Sequence, residues 1–343
     1  MNEKMKVKNI YDTPLVSILL ACYNQEKYIE DCLKGVLSQT YLEIELIISD
    51  DCSTDGTVSV IERYLPRLRD KFCKVIFESN SANLGLILNH IKLGDMASGK
   101  YMVFLAGDDI PLPEFISESA GYMEEHPEYA MCYSDEYIVP DTYKYGMPMS
   151  HFPRYQNQGA SKSGFHLFED LILGNMCLGA TSVMLKSESF HKYGGFDPDI
   201  GVEDTNLWLT IARLDGIGHF DQCLICYRQS DQSVSNLKSN GSEKKFLQAY
   251  ETELKTYSKH INYLSDEKKK KAVIDHIYLK YFIIAMDLDF PKQAKELFKT
   301  IQSKNVILSR KTRLYYRLYC CHMGKIYVLF RNIRDSIKRK ELI

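Results

Sequence analysis

The chain has 343 residues, 45% of them hydrophobic and 26% charged, the balance of a soluble globular protein with room for one domain of average to large size plus a smaller one. A formal net charge of -2 excludes bulk nucleic-acid binding as the main task, because neutralising a phosphate backbone needs a basic excess. No apolar run approaches the ~20 residues that span a bilayer. The polar start from Met1 to Tyr11 lacks a secretory pattern, so the ten cysteines are expected to be reduced thiols of a cytosolic protein.

Residues 15–22 are a short apolar run of the kind found in buried parallel strands, ending in the polar turn Tyr23-Asn24-Gln25. Ile29, Cys32, Leu33, Val36 and Leu37 then recur at three and four, which predicts an amphipathic helix over residues 28–39. Residues 45–49 repeat the strand signal, Asp50-Asp51-Cys52-Ser53-Thr54-Asp55-Gly56 makes a polar loop, and Val58, Ile61 and Leu65 mark a second helix. A third unit runs through residues 75–77, an Asn-rich loop and a helix over 87–93. Residues 101–105 form a fourth buried strand that leads into Gly107-Asp108-Asp109, with Pro111 and Pro113 ahead of a helix from about Glu114. Four strand-helix units in series predict an α/β fold with a parallel, doubly wound sheet, whose ligands bind at the carboxyl ends of the strands.

Further on, residues 129–133 and 179–185 read as strands, with a long Pro-, Tyr- and Met-rich loop over 140–164 between them. Gly194-Gly195-Phe196-Asp197 makes a turn, and Leu207, Trp208, Ile211 and Leu214 place residues 205–214 on a helix with Glu203-Asp204 at its start. Cys223 and Cys226 form a C-x-x-C within an apolar strand run, where positions three apart face opposite sides, which argues against a metal site. From residue 241 the texture turns to Lys, Glu, Leu and Tyr at helical spacing, and Lys268-Lys269-Lys270-Lys271 is read as a separator between two helical stretches. The expected division is residues 12–240 and a helical region, 241–343. Its basic, aromatic segment from Arg310 to Arg339 reads either as a solvated face over a small core or as a patch for anionic membrane.

Asp50-Asp51, Asp108-Asp109 and Glu203-Asp204 are adjacent carboxylates with no basic neighbour in sequence. Like charges side by side raise each other's pKa, so pairs repeated at loop positions point to a divalent cation, a nucleotide and a proton-transfer task. Asp50, Ser53 and Asp55 also fit as turn formers and helix caps.

The order of Ala21-Cys22-Tyr23-Asn24, Gln39-Thr40, the Asp50 to Thr57 loop, Asn83-Leu84-Gly85, Gly107-Asp108-Asp109 and Glu203-Asp204 resembles that of family 2 glycosyltransferases, over residues 12–236. The resemblance implies a GT-A fold, a Rossmann-like and mostly parallel sheet flanked by helices, and inverting, metal-dependent transfer from a nucleotide sugar, UDP-linked by preference, to a glycan or lipid-linked hydroxyl. It implies nucleotide contacts from the Ala21 backbone, stacking by Tyr23, a base N–H accepted by Asp51 and a ribose contact from Asp108. Asp109 would hold Mn²⁺ or Mg²⁺, with oxygen ligands and a diphosphate as the usual setting. Asp204 would be the catalytic base, opposite the leaving group, and Glu203 would stand on the acceptor side. The chain departs from the family at Ser230, where a metal-binding His is common, and at Leu88, where an Arg often precedes Asn89. These departures keep a non-catalytic nucleotide-sugar binder in play. A sugar nucleotidyltransferase is less favoured, because Ala21-Cys22-Tyr23-Asn24-Gln25-Glu26 contains no glycine. The setting implied is cytoplasmic, at most peripheral to the inner face of the membrane.

Overall fold

The computed structural model describes residues 13–152, 154–155, 164, 167–176, 178–200, 203–229 and 242–321. The chain divides into two compact units, residues 1–230 and 231–343.

In the first unit, β1 (Val16–Cys22) and β2 (Ile44–Asp50) are buried at every position. With β3 (Lys74–Ser79) and β4 (Tyr101–Ala106) they pair in parallel in the order β3-β2-β1-β4. Helices α1 (Ile29–Ser38), α2 (Thr57–Lys71) and α3 (Leu86–Met96) are the crossovers. Residues such as Ile18, Leu20, Leu33, Val36, Leu46 and Ile61 are almost wholly inaccessible, each burial contributing roughly 1.5–3 kcal/mol relative to exposure. The buried Glu45 lies near the opposite end of β2 from the ligand-binding rim. It accepts from Ser17 Oγ at 2.7 Å and from the Ser98 amide at 2.8 Å, and it pairs with Lys74. Although burial alone pushes Glu45 up, these partners hold its pKa below the ordinary value.

Beyond β4 the sheet is mixed, a departure from a simple series of strand-helix units. Ile110–Pro111 is a short strand, β5, where a direct run into helix was expected, and α4 (Phe115–Glu125) follows it. Next come β6 (Tyr129–Pro140), the two-residue β7 (Arg154–Tyr155), α5 (Leu167–Ile172), β8 (Val183–Lys186), α6 (Ser187–Lys192), α7 (Glu203–Leu214) and β9 (Gly216–Gln229). The order continues β4-β8-β6-β9-β5, with β8 antiparallel to both neighbours, β6 parallel to β9 and β5 antiparallel to β9; β7 pairs with β6. Pro111 is tolerated because β5 is an edge. The strand expected over 179–185 begins only at Val183, and β6 runs seven residues past its expected end at Tyr133. Gln39 locks this half to α1: its Nε2 donates to Leu112 O at 2.7 Å and its Oε1 accepts from the Ile116 amide at 3.1 Å.

The second unit contains α8 (Glu243–His260), α9 (Glu267–Asp287), α10 (Pro291–Ser303) and α11 (Arg310–Cys320) around Phe246, Ile277, Phe282, Leu297 and Tyr315. The four-lysine run lies inside the first turns of α9 rather than between helices. Asp266 caps that helix, and Lys270 and Lys271 pair with Glu267 and Asp275, so the long stems propagate a helix instead of ending one. The chain reversal lies at residues 261–266.

Candidate active site

The ends of β1, β2 and β4 form one rim. Ala21 is in register with Ser49 and Ala106, and its carbonyl accepts from the Gly107 amide at 3.1 Å. The Asp51 amide donates to Cys22 O at 2.8 Å. Cys22 thus sits where the first two acidic pairs converge: burial, then Asp50, then Asp108 push its thiol pKa well above the ordinary value.

Around the loop that follows β2 many polar groups are committed to structure. Residues 24–26 and 53–57 are laced together: the Asn24 amide donates to Ser53 Oγ at 2.9 Å, the Gln25 amide to Thr57 Oγ1 at 2.8 Å and the Glu26 amide to Asp55 Oδ2 at 3.1 Å. Asp55 also accepts from the Thr57 amide at the start of α2, and Asp50 Oδ2 accepts from the Ser53 amide and Ser79 Oγ. Turn-forming and capping roles therefore account for the contacts of Asp50, Ser53 and Asp55. Asp51, 3% exposed, shapes the turn before α3: Oδ1 accepts from the Leu84 amide and Asn80 Nδ2, and Oδ2 from the Gly85 amide, at 2.8, 2.9 and 2.8 Å. Tyr23 is 47% exposed and leaves an open aromatic face at the rim.

The second acidic pair has a basic partner that its sequence neighbours did not reveal. Arg228, on β9, is wholly buried. Its amide donates to Asp109 Oδ1 at 2.9 Å and its Nε to Asp108 O at 3.0 Å. Its Nη1 donates to Tyr143 O at 2.8 Å and Asp141 O at 3.1 Å, Nη2 lies 3.5 Å from Asp31 Oδ2, and the guanidinium stands 5.0 Å from the Tyr28 ring centre. The planar fork of donors suits this cluster of carbonyls. Gln25 Nε2 donates to Asp108 Oδ1 at 3.0 Å. Burial pushes both Asp108 and Asp109 up; for Asp109 the neighbouring Asp108 adds to this, opposed by the Arg228 amide, and the net rise is large.

Among the described residues no group of three or more His, Cys, Asp or Glu side chains could hold a metal by itself. The donor set present, hard carboxylate oxygens destabilised by burial and by each other, fits a Mg²⁺ or Mn²⁺ ion shared with substrate phosphates rather than caged by protein. Ser230 lies outside the described residues. Cys223, partly exposed, and Cys226, buried, are not joined in a disulfide.

Asp204 stands on a separate element, in the first turn of α7, with Oδ1 accepting from the Thr205 hydroxyl at 3.0 Å. The turn before it is anchored to β4. Phe196 packs on Phe104 of β4 with ring centres 4.8 Å apart, and His90 and Phe190 complete the cluster. Gly194 and Gly195 have φ of +82° and +63°, and a Cβ on Gly195 would come within 2.9 Å of the Phe190 ring, so this turn requires glycine. Burial holds His90 down at about 4, making it a neutral packing ring. Burial also raises Asp204, outweighing its hydrogen bonds to Thr205. Of Glu203 only the backbone position, the first residue of α7, is described.

Sequence reasoning also passed over Glu136. It is 6% exposed in the middle of β6, and burial first, with Asp135 adding, pushes it up to about 7 against the Thr181 hydroxyl. The signal was present as Ser134-Asp135-Glu136 within an apolar strand, but the acids read as the strand's end.

The family model described as Glycosyl transferase family 2 matches residues 17–184. An uncharacterized glycosyltransferase of Haemophilus influenzae is 28% identical over 86% of this chain and 95% of its own length. The putative teichuronic acid biosynthesis glycosyltransferase TuaG of Bacillus subtilis is 28% identical over 75% and 98%. Among solved structures, S. aureus TarS 1-349 in complex with UDP-GlcNAc has a TM-score of 0.60 at 16% identity, covering 95% of this chain and 92% of that one. The mannosyltransferase PcManGT of Pyrobaculum calidifontis, in complex with GDP-Man and Mn²⁺, has a TM-score of 0.55 at 14% identity, covering 94% and 87%. Family match, relatives and architecture agree with the order of motifs along the strand ends: the chain has the GT-A fold and carries a family 2 glycosyltransferase region over residues 17–184.

Proposed function

We propose that the protein transfers a hexosyl group, with inversion, from a nucleotide sugar, UDP-linked by preference, to a hydroxyl of a glycan or lipid-linked acceptor in surface-polysaccharide synthesis. The observation that carries this reading is the Asp108-Asp109 pair at the end of β4, Asp109 buried and Asp108 partly so, gripped from beneath by Arg228. Two carboxylates held in that state bind a cation and diphosphate more favourably than they remain bare. The name of TuaG and the ligand in TarS support the acceptor class and the uridine nucleotide; the Mn²⁺ in PcManGT supports the metal.

In this reading Tyr23 stacks on the base. Asp51 Oδ2, with one described donor, keeps a lone pair for a base N–H, while the Ala21 backbone and Asp108 border the nucleoside. Asp109 holds the cation, which when bound supplies neutralisation of charge on the departing diphosphate. Asp204 takes the proton from the attacking hydroxyl, and Glu203 stands beside the acceptor. Purified protein given Mn²⁺ and a panel of nucleotide sugars with candidate acceptors should release nucleoside diphosphate from one donor class and stop in EDTA. Release that survives EDTA, or the absence of both release and calorimetric binding, would contradict the scheme.

The C-terminal segment supports a peripheral membrane contact in part. Among the described residues no helix is long and apolar enough to cross a membrane. Tyr315 is buried with its hydroxyl 2.7 Å from Asp287 Oδ1, and Tyr316 stacks on Phe298, so these aromatics belong to the helical core. The exposed Ile307 and Leu314 lie beside exposed Arg310, Lys311, Arg313 and Arg317; the rest of the basic segment, 322–343, lies outside the described residues. At roughly 1 kcal/mol per basic residue near an anionic surface, changing those four to Glu should abolish co-sedimentation with phosphatidylglycerol vesicles. Undiminished sedimentation would remove the membrane contact from the scheme.

A further inference from the structure

Glu136 is tied through the sheet to the strand that follows Asp109. In the sheet, Glu136 is in register with Ile225 of β9, and Ile225 with Pro111 of β5. Two strand spacings place it roughly 10 Å across from the residue that follows Asp109-Ile110. The ladder between β6 and β9 is irregular on both sides of Asp135, and bulges of this kind re-aim side chains beside active sites. Asp135 is turned to His219, with Oδ1 to Nε2 at 2.9 Å, whereas Glu136 meets the segment before β8. The Thr181 hydroxyl donates to Oε2 at 3.2 Å, and the carboxylate packs on the bare Cα of Gly179, where an added Cβ would lie 2.9 Å from Oε2. Oε1 has no described partner and is not sealed from solvent, so it keeps open acceptor positions.

We propose that Glu136 is a specificity-determining residue: its Oε1 accepts a hydrogen bond from a ring hydroxyl of the hexosyl group held at the Asp109 end of the site. Asp109 fixes the diphosphate end of the donor, so a second carboxylate two strands away on the same sheet reads the sugar and not the nucleotide. Thr181 and Gly179 set where that carboxylate stands. Donors differing in the configuration of one hydroxyl then differ in whether Oε1 is satisfied, and sites built this way discriminate strongly.

The inference rests on the nucleotide-sugar reading, and the test separates the two. Wild type, Glu136→Gln and Gly179→Ala are titrated calorimetrically, with Mn²⁺, against UDP and against UDP-hexoses that are epimers at single positions; thermal melts confirm folding. Glu136→Gln removes a charged acceptor, and Gly179→Ala displaces the carboxylate without altering it. UDP affinity is expected to stay within about twofold, while the best donor loses about tenfold and the ratio between epimers shrinks in both variants. If wild type discriminates and both variants keep its ranking, or if UDP and UDP-sugar affinities fall together, Glu136 does not read the sugar. If wild type binds UDP but no nucleotide sugar, the donor reading fails first and takes this inference with it.

Discussion

Asp204→Asn should lower the turnover number by about 10²–10⁴-fold while leaving donor binding within experimental error. The amide keeps the shape of the side chain and can still accept from the Thr205 hydroxyl, so α7 is undisturbed; what is lost is a group able to take a proton. The pH profile provides a second check. Burial raises the Asp204 pKa, and the base is competent only when ionised. The acid limb of kcat/KM should therefore lie above the ordinary carboxylate range, with activity falling about tenfold per unit as pH drops through it. Asp204→Asn should remove that dependence from whatever slow transfer survives. Near-normal turnover in the variant, or an acid limb unchanged by the substitution, would require another residue as the base.

The placement of Asp204 shows what could be read in advance and what could not. Strands β1 to β4 were legible because each is an unbroken apolar run followed by a polar turn, and helix α7 because Leu207, Trp208 and Ile211 fall on one face. The rim carrying Ala21, Asp51 and Asp109 follows from that alternation alone. Beyond β4 the same reasoning weakens. Polarity ended the expected β6 at Tyr133, although Ser134, Asp135 and Glu136 continue it as buried residues; a buried carboxylate is stabilised by partners distant in sequence, here Thr181 and His219. Asp51 shows the same limit. Its acidity was visible, but its three donors come from Asn80, Leu84 and Gly85 across a loop. The four lysines failed as a separator for a local reason, since nothing in them opposes helix once Asp266 caps the turn.

Arg228 is the most consequential partner that adjacency concealed, and its replacement should have the broadest effect. The guanidinium is fully buried and supplies hydrogen bonds to Asp108, Asp141 and Tyr143 carbonyls as well as a charge near Asp31. Arg228→Met leaves those carbonyls without their donor and the buried Asp31 carboxylate with only the Tyr145 amide and Lys144 beside it, a class of change that costs about 3–5 kcal/mol. A melting temperature roughly 10 °C lower is expected for a unit of this size. Arg228→Lys separates charge from geometry. A lysine keeps the positive charge under Asp31 and the backbone amide that donates to Asp109, but its point-like ammonium cannot serve Asp108 O and the 141–143 carbonyls together. It should recover part of the lost stability while metal-dependent donor binding stays impaired, because the loop that aims Asp109 is no longer held on both sides. Full recovery of both by lysine would mean that charge alone, and not the fork of donors, organises the Asp108-Asp109 loop.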